Sequence, residues 1–186
     1  GAGAVILVGA TVFFILSSQA KKEQNATRLL GKASIELQAG NVEEAVADLQ
    51  TVVNDYGGTK SAGRASFFLA TAHYYVGDYD QAQSMFEKYL KEYKGDIMFS
   101  TSAQAGIADC HMQRGNYILA AEEFVKAATL DPDGFLAPQY LLRAALAYLK
   151  ADQKGKAREV LDKLITEYPD SREVHPAKEQ LAENLG

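Results

Sequence analysis

The sequence predicts an all-α protein: a solenoid of four helical hairpins closed by a terminal helix and preceded by one apolar helix. Three observations carry this prediction. Ala45, Ala82, Ala120 and Ala157 recur at intervals of 37, 38 and 37 residues. The first three follow turns of a single pattern, Gly40-Asn41-Val42, Gly77-Asp78-Tyr79 and Gly115-Asn116-Tyr117. The segments between the turns carry apolar residues at helical spacing, not in strand-like alternation. Self-similarity at a fixed period marks a repeat architecture, whose units bury their faces only against one another. Such a stack favours contact with other molecules over pocket chemistry.

Composition agrees. The 186 residues are 47% hydrophobic and 23% charged, enough apolar content for a packed core. The net charge of −5 disfavours attachment to phosphate backbones, so nucleic acid is not an expected partner. A single cysteine, Cys110, excludes an internal disulfide and reads as a buried thiol in a helical pattern.

The first element is apolar. Gly1 to Ala20 contains no charged residue, close to the roughly 20 apolar residues of a membrane-spanning helix. Ser18-Gln19-Ala20 also passes as the cleavage site of a secretory signal. The expectation is a retained span over 1–20, N-terminally incomplete, with 21–25 as linker and start of the first repeat helix. Gly3, Ala10 and Ser17 are spaced by seven, with Gly9 beside them, so these small residues are candidates for a helix–helix contact in the bilayer. Lys21 and Lys22 alone would place the repeats on the cytoplasmic side.

The repeats come in order. In the first unit, 26–59, Leu29, Leu30, Ala33 and Leu37 keep helical spacing. Gly40 then supplies a left-handed stop and Asn41 an N-cap, with Glu44 as capping-box partner. Val42, Ala45, Val46, Leu49, Val52 and Val53 make the second helix, stopped at Gly57-Gly58. The second unit, 63–96, pairs a helix over 65–76 with one over 82–93, and Gln81 takes the capping-box place. The third, 101–134, pairs 101–113 with 120–130. The fourth, 138–171, turns at 151–155, where the Gly–Asx pair is missing and Asp152 stands one place early. Residues 172–186, with Val174, Ala177, Leu181 and Leu185, read as a solvent-facing helix that caps the last open face.

The units resemble the tetratricopeptide repeat, whose unit of about 34 residues has small residues at positions 8 and 20, a bulky one at 24, a small one at 27 and proline at 32. Unit three matches with Ala108, Ala120, Phe124, Ala127 and Pro132. Unit two offers Ala70, Ala82 and Phe86; unit four Ala145, Ala157, Leu161 and Pro169; unit one Ala33 and Ala45. Extra residues, Lys60 to Ala62, Ile97 to Ser100 and Phe135 to Ala137, separate the units. The uncharged N-terminal span, the short charged linker and the four repeats with Glu-Tyr-type endings together resemble the YfgM-like single-span inner-membrane proteins of bacteria. That resemblance implies an inner-membrane anchor, repeats in the periplasm, and links to the Sec translocon or periplasmic chaperones. The Tyr168-Pro169-Asp170-Ser171 ending is shared with envelope lipoproteins of outer-membrane assembly.

The repeat resemblance implies a binding groove lined by positions 2, 5, 9 and 12 of each first helix. Its candidate residues are Leu30, Leu37, Arg64, Phe67, Thr71, Tyr74, Asp109, Met112, Leu142 and Leu146. This apolar, aromatic-bearing lining suits an amphipathic helix or extended apolar peptide. His73 and His111 share position 11, so their spacing reflects the repeat and not a metal site. No phosphate loop, nucleophile elbow or paired carboxylates are visible, so no cofactor, metal or enzymatic activity is expected. The expected function is a membrane-anchored adaptor that binds proteins through the groove and membrane protein or lipid through its span. The alternative is a permanent accessory subunit of a large membrane complex.

Overall fold

The computed structural model describes residues 2–93 and 95–185, and for residues 2–10 the backbone alone. Among the described residues there are nine helices and no strand: α1 (Ala2–Ala39), α2 (Val42–Asp55), α3 (Lys60–Tyr75), α4 (Tyr79–Glu92), α5 (Ile97–Gln113), α6 (Tyr117–Leu130), α7 (Ala137–Lys150), α8 (Lys154–Glu167) and α9 (Val174–Asn184). They form two compact units, Gly1–Ala72 and His73–Gly186.

The four turns explain the repeat. Gly40, Gly77 and Gly115 all have φ between 75° and 85°, a left-handed conformation open to a residue without Cβ. Each turn closes with the same pair of backbone bonds, as in Gly40 N–H to Leu37 C=O and Asn41 N–H to Glu36 C=O. The next helix opens with another shared bond, from each of the recurring alanines back to the carbonyl four residues before it. Asp152 takes the glycine's place in the fourth turn, at φ 55°, with the matching bonds from Asp152 to Leu149 and from Gln153 to Tyr148. The fourth turn is therefore regular in shape, although the sequence made it look displaced.

Two capping expectations differ from what is found. Asp78 does accept a bond from Gln81 N–H, at 3.3 Å, but Asn41 makes no side-chain capping bond and Glu44 completes no box. Asn41 and the residues after it are exposed, so water can satisfy the first N–H groups of α2 in its place. Helix α5 starts four residues before the expected 101, because Asp96 accepts from both Met98 N–H and Phe99 N–H.

In the first unit α1 packs on α2. Ala26, Leu30 and Ala33 supply the buried stripe of α1, while Ala45, Leu49, Val52 and Val53 supply that of α2. Residues 21–25, expected as linker and start of the first repeat helix, are helical throughout. Helix α1 runs without interruption from Ala2 to Ala39, since Lys21, Lys22 and Glu23 are good helix formers and no Gly or Pro lies between Ala10 and Gly31. Among the described residues no helix is long and apolar enough to cross a membrane. Half of the expected 1–20 span lies outside the residues whose side chains are described.

In the second unit each helix packs on the next in chain order, from α4 through α9. Ala82, Ala120 and Ala157 are 0% exposed, as is Ala45 in the first unit. At full burial there is no room for a larger side chain at any of the four positions. One core joins Ala108, Phe124, Leu141, Tyr148, Leu161 and Leu164 to Ala177 and Leu185 of the last segment. The terminal helix thus lays its apolar side on the stack, and the Arg158 guanidinium donates to the Leu185 carbonyl to hold the end down.

Candidate functional site

The groove positions fall in both units, and each set is described by itself. In the first, Leu30 is only 8% exposed and belongs to the core, whereas Leu37, Phe67 and Thr71 are half-buried and Arg64 is exposed. The Thr71 hydroxyl is turned to its own helix, donating to Phe67 C=O at 3.0 Å. Phe67 and Phe68 meet edge to face with centroids 5.8 Å apart.

The same unit holds a polar clamp. Glu23 of α1 accepts from Lys60 N–H at 2.8 Å, Ser61 N–H at 3.2 Å and the Ser61 hydroxyl at 2.7 Å. The two backbone donors are the first N–H groups of α3, which no helical carbonyl can satisfy. Burial alone would raise the Glu23 pKa, but these bonds and one from Thr27 outweigh it and hold the carboxyl below its ordinary value.

In the second unit Tyr74, Asp109, Met112 and Leu142 are half-buried, and Leu146 is 37% exposed. Two of them, Tyr74 and Asp109, are linked to a side chain of the following repeat. Tyr74 Oη accepts from Gln113 Nε2 at 3.0 Å, and Asp109 pairs with Arg143. The Arg143 guanidinium also lies 4.2 Å from the centroid of Phe124. Burial pushes the Asp109 carboxyl up more strongly than Arg143 pulls it down. Arg143 and Gln113 were absent from the sequence-derived lining. The pairing of Asp109 with Arg143 spans 34 residues, close to one repeat, and that spacing is the signal that could have found it.

The other candidates have local roles. Ser17 is half-buried and its hydroxyl donates to Phe14 C=O at 3.0 Å, while Gly3, Gly9 and Ala10 lie outside the described side chains. His73 Nδ1 stands 3.5 Å from Asp78, and His175 Nδ1 stands 3.4 Å from Glu179. His111 Nδ1 is buried with no hydrogen-bond partner, and desolvation, reinforced by Arg114, lowers its pKa. Burial pushes the Cys110 thiol up to about 11, which makes it a poor nucleophile. No group of three or more His, Cys, Asp or Glu among the described residues could hold a metal ion.

Comparison with known proteins bears on this geometry. Tetratricopeptide-repeat models match residues 69–135 and 139–171. No curated protein matches the chain. Among solved structures, a MamA protein superposes with a TM-score of 0.63 at 15% identity, covering 87% of this chain and 78% of that one. MamA residues 41-end from Desulfovibrio magneticus RS-1 give 0.62 at 21% identity, covering 77% and 76%. The N-terminal domain of stress-induced protein-1 (STI-1) from C. elegans gives 0.55 at 19% identity, covering 64% of this chain and 94% of that one. At these identities the likeness shows the fold.

Proposed function

We propose that this chain, which carries tetratricopeptide repeats, is a protein–protein interaction scaffold held at a bacterial inner membrane by its N-terminal helix, with the repeats in the periplasm. The observation that carries the binding reading is the contrast within α5 and α7. Their inward residues are fully buried, while Asp109, Met112, Leu142 and Leu146 on the groove positions keep part of their surface open. A side chain of an amphipathic segment fits such a half-open apolar lining, and the Asp109–Arg143 pair offers it polar partners.

The anchor reading is supported by α1. Val12 to Leu16 are five consecutive large apolar residues, each 50–75% exposed. At 100° per residue they surround the helix, and a helix apolar on every side belongs in lipid or in a protein core. The periplasmic side and the links to the Sec translocon or chaperones rest on the resemblance to YfgM-like proteins. The scaffold acts by binding, without a reaction, cofactor or metal of its own.

Site-specific photo-crosslinking in intact membranes tests the scaffold. Probes at Tyr74 and Leu146 are expected to capture several substoichiometric proteins, and Leu142→Glu should abolish capture while the chain stays folded. Capture of one stoichiometric subunit alone supports the permanent-subunit alternative, and no capture overturns groove binding. An alkaline phosphatase fused after Leu185 should be active if the repeats are periplasmic.

A further inference from the structure

The extra residues between repeats form a second surface, separate from the groove. Ile97 and Met98 at the start of α5 are each 50% exposed, and Phe135, before α7, is 80% exposed. Met98 and Phe135 border one hollow of about 70 Å³, floored by Thr101, Ala127, Leu136 and Tyr140. The one charged residue on its lining is Asp131. A second hollow that Phe135 also lines presents Asp133, together with Arg172 and Glu173, which are paired with each other at 2.8 Å.

The exposed ring sits on a fixed loop. Gly134 N–H donates to Asp131 C=O at 3.0 Å and Ala137 N–H to Gly134 C=O at 3.1 Å. The Tyr168 hydroxyl donates to Pro132 C=O at 2.8 Å. A Cβ at Gly134 would fall 2.2 Å from the Asp131 carboxylate, so a larger residue there would turn that side chain aside. Burial, and after it the nearby Glu167, Asp133 and Asp131 carboxylates, push the Tyr168 phenol up. Among the described residues neither Asp131 nor Asp133 has an ion-pair partner. A pre-ordered aromatic that shares one hollow with Asp131 and another with Asp133 lowers the ordering cost for a partner of opposite charge.

We propose that Phe135, with Met98 and the Asp131 and Asp133 carboxylates, is a docking point for a cationic amphipathic peptide segment. One of its apolar side chains enters the Met98–Tyr140 hollow, and flanking Lys or Arg residues meet the two aspartates. This surface shares no residue with the groove, so its failure and that of the groove reading are separable.

The test titrates short synthetic peptides into the isotope-labelled full chain in detergent micelles and reads amide shifts. A peptide alternating Leu and Lys should perturb Met98, Phe135 and Tyr140, and a Leu–Glu peptide should not. Phe135→Ser should weaken binding about tenfold or more, as expected for an anchoring aromatic. The exposed ring makes this variant safe for folding, and a thermal melt checks that. Asp131→Asn with Asp133→Asn should weaken binding and flatten its salt dependence. The proposal is overturned if the Leu–Lys peptide does not bind, perturbs Tyr74, Met112 and Leu142 instead, or binds both variants as tightly as the parent. Self-association or lipid partition that depends on Phe135 would likewise overturn it, by assigning the ring to a second copy or to a bilayer.

Discussion

Glu23 closes the N-terminus of α3 through Ser61, accepting from both its N–H and its hydroxyl across 38 residues of chain. A carboxylate there satisfies orphan donors and meets the positive end of the helix dipole. Glu23→Ala should cost about 1–2 kcal/mol by urea unfolding. The folded-state pKa is lowered from 4.5, so the stabilisation is present above that value and is lost as pH falls through the folded pKa. The stability difference between parent and Glu23→Gln should therefore shrink on acidification below 4.5, and a constant difference would sink the clamp.

Gly106 and Phe86 fit together because one lacks a side chain. A Cβ on Gly106 would lie 2.5 Å from the Phe86 ring, which is itself buried. Gly106→Ala should destabilise by about 1–3 kcal/mol despite the better helix propensity of alanine. Gly155, also helical, meets nothing within 4 Å, so Gly155→Ala should be neutral or stabilising. Equal thermal shifts for the two variants would contradict the packing argument.

At Asp152 the expected effect has the opposite sign. Its φ of 55° is the one positive value at a non-glycine residue among those described. Asp152→Gly should raise stability by up to about 1 kcal/mol, and Asp152→Val should lower it by about 1–2 kcal/mol. Differential scanning calorimetry of the pair reads the sign directly.

His111 makes stability depend on pH near neutrality. Its lowered pKa means that the unfolded chain takes up a proton first as pH falls below 6.5. Stability should thus decline from 6.5 down to the folded pKa, with Glu87, Glu123, Arg114 and Lys126 as the charged neighbours that set its extent. In His111→Phe, which also removes the unpartnered Nδ1, that slope should flatten. Denaturation midpoints measured across the window decide it, and an unchanged slope would refute the assignment to His111.

The helices were readable because their signals are local. The turn glycines and the alanines at Ala45, Ala82, Ala120 and Ala157 each report a backbone or packing demand at their own position, so their spacing yields the hairpins, and Val174, Ala177, Leu181 and Leu185 yield the terminal helix. What escaped the sequence depends on residues a repeat apart. Nothing near Glu23 marks it as the cap of α3, and Arg143 gains meaning only when Asp109 faces it. Leu30, assigned to the lining by position, turned inward because its buried neighbours Ala26 and Ala33 occupy the same stripe. Asp96 is a local signal, and reading it as an N-cap would have placed the start of α5 correctly.

The uninterrupted α1 fixes an angular phase. A hydrogen-bonded helix has no swivel, so the direction in which Phe14 points is tied by residue count to the direction of Ala26, Leu30 and Ala33. One residue inserted between Phe14 and Glu23 would twist the two ends by about 100° relative to each other, while four would bring them back to within about 40° of register. Whatever grips the apolar end therefore grips the first repeat in torsion as well, as a keyed shaft does.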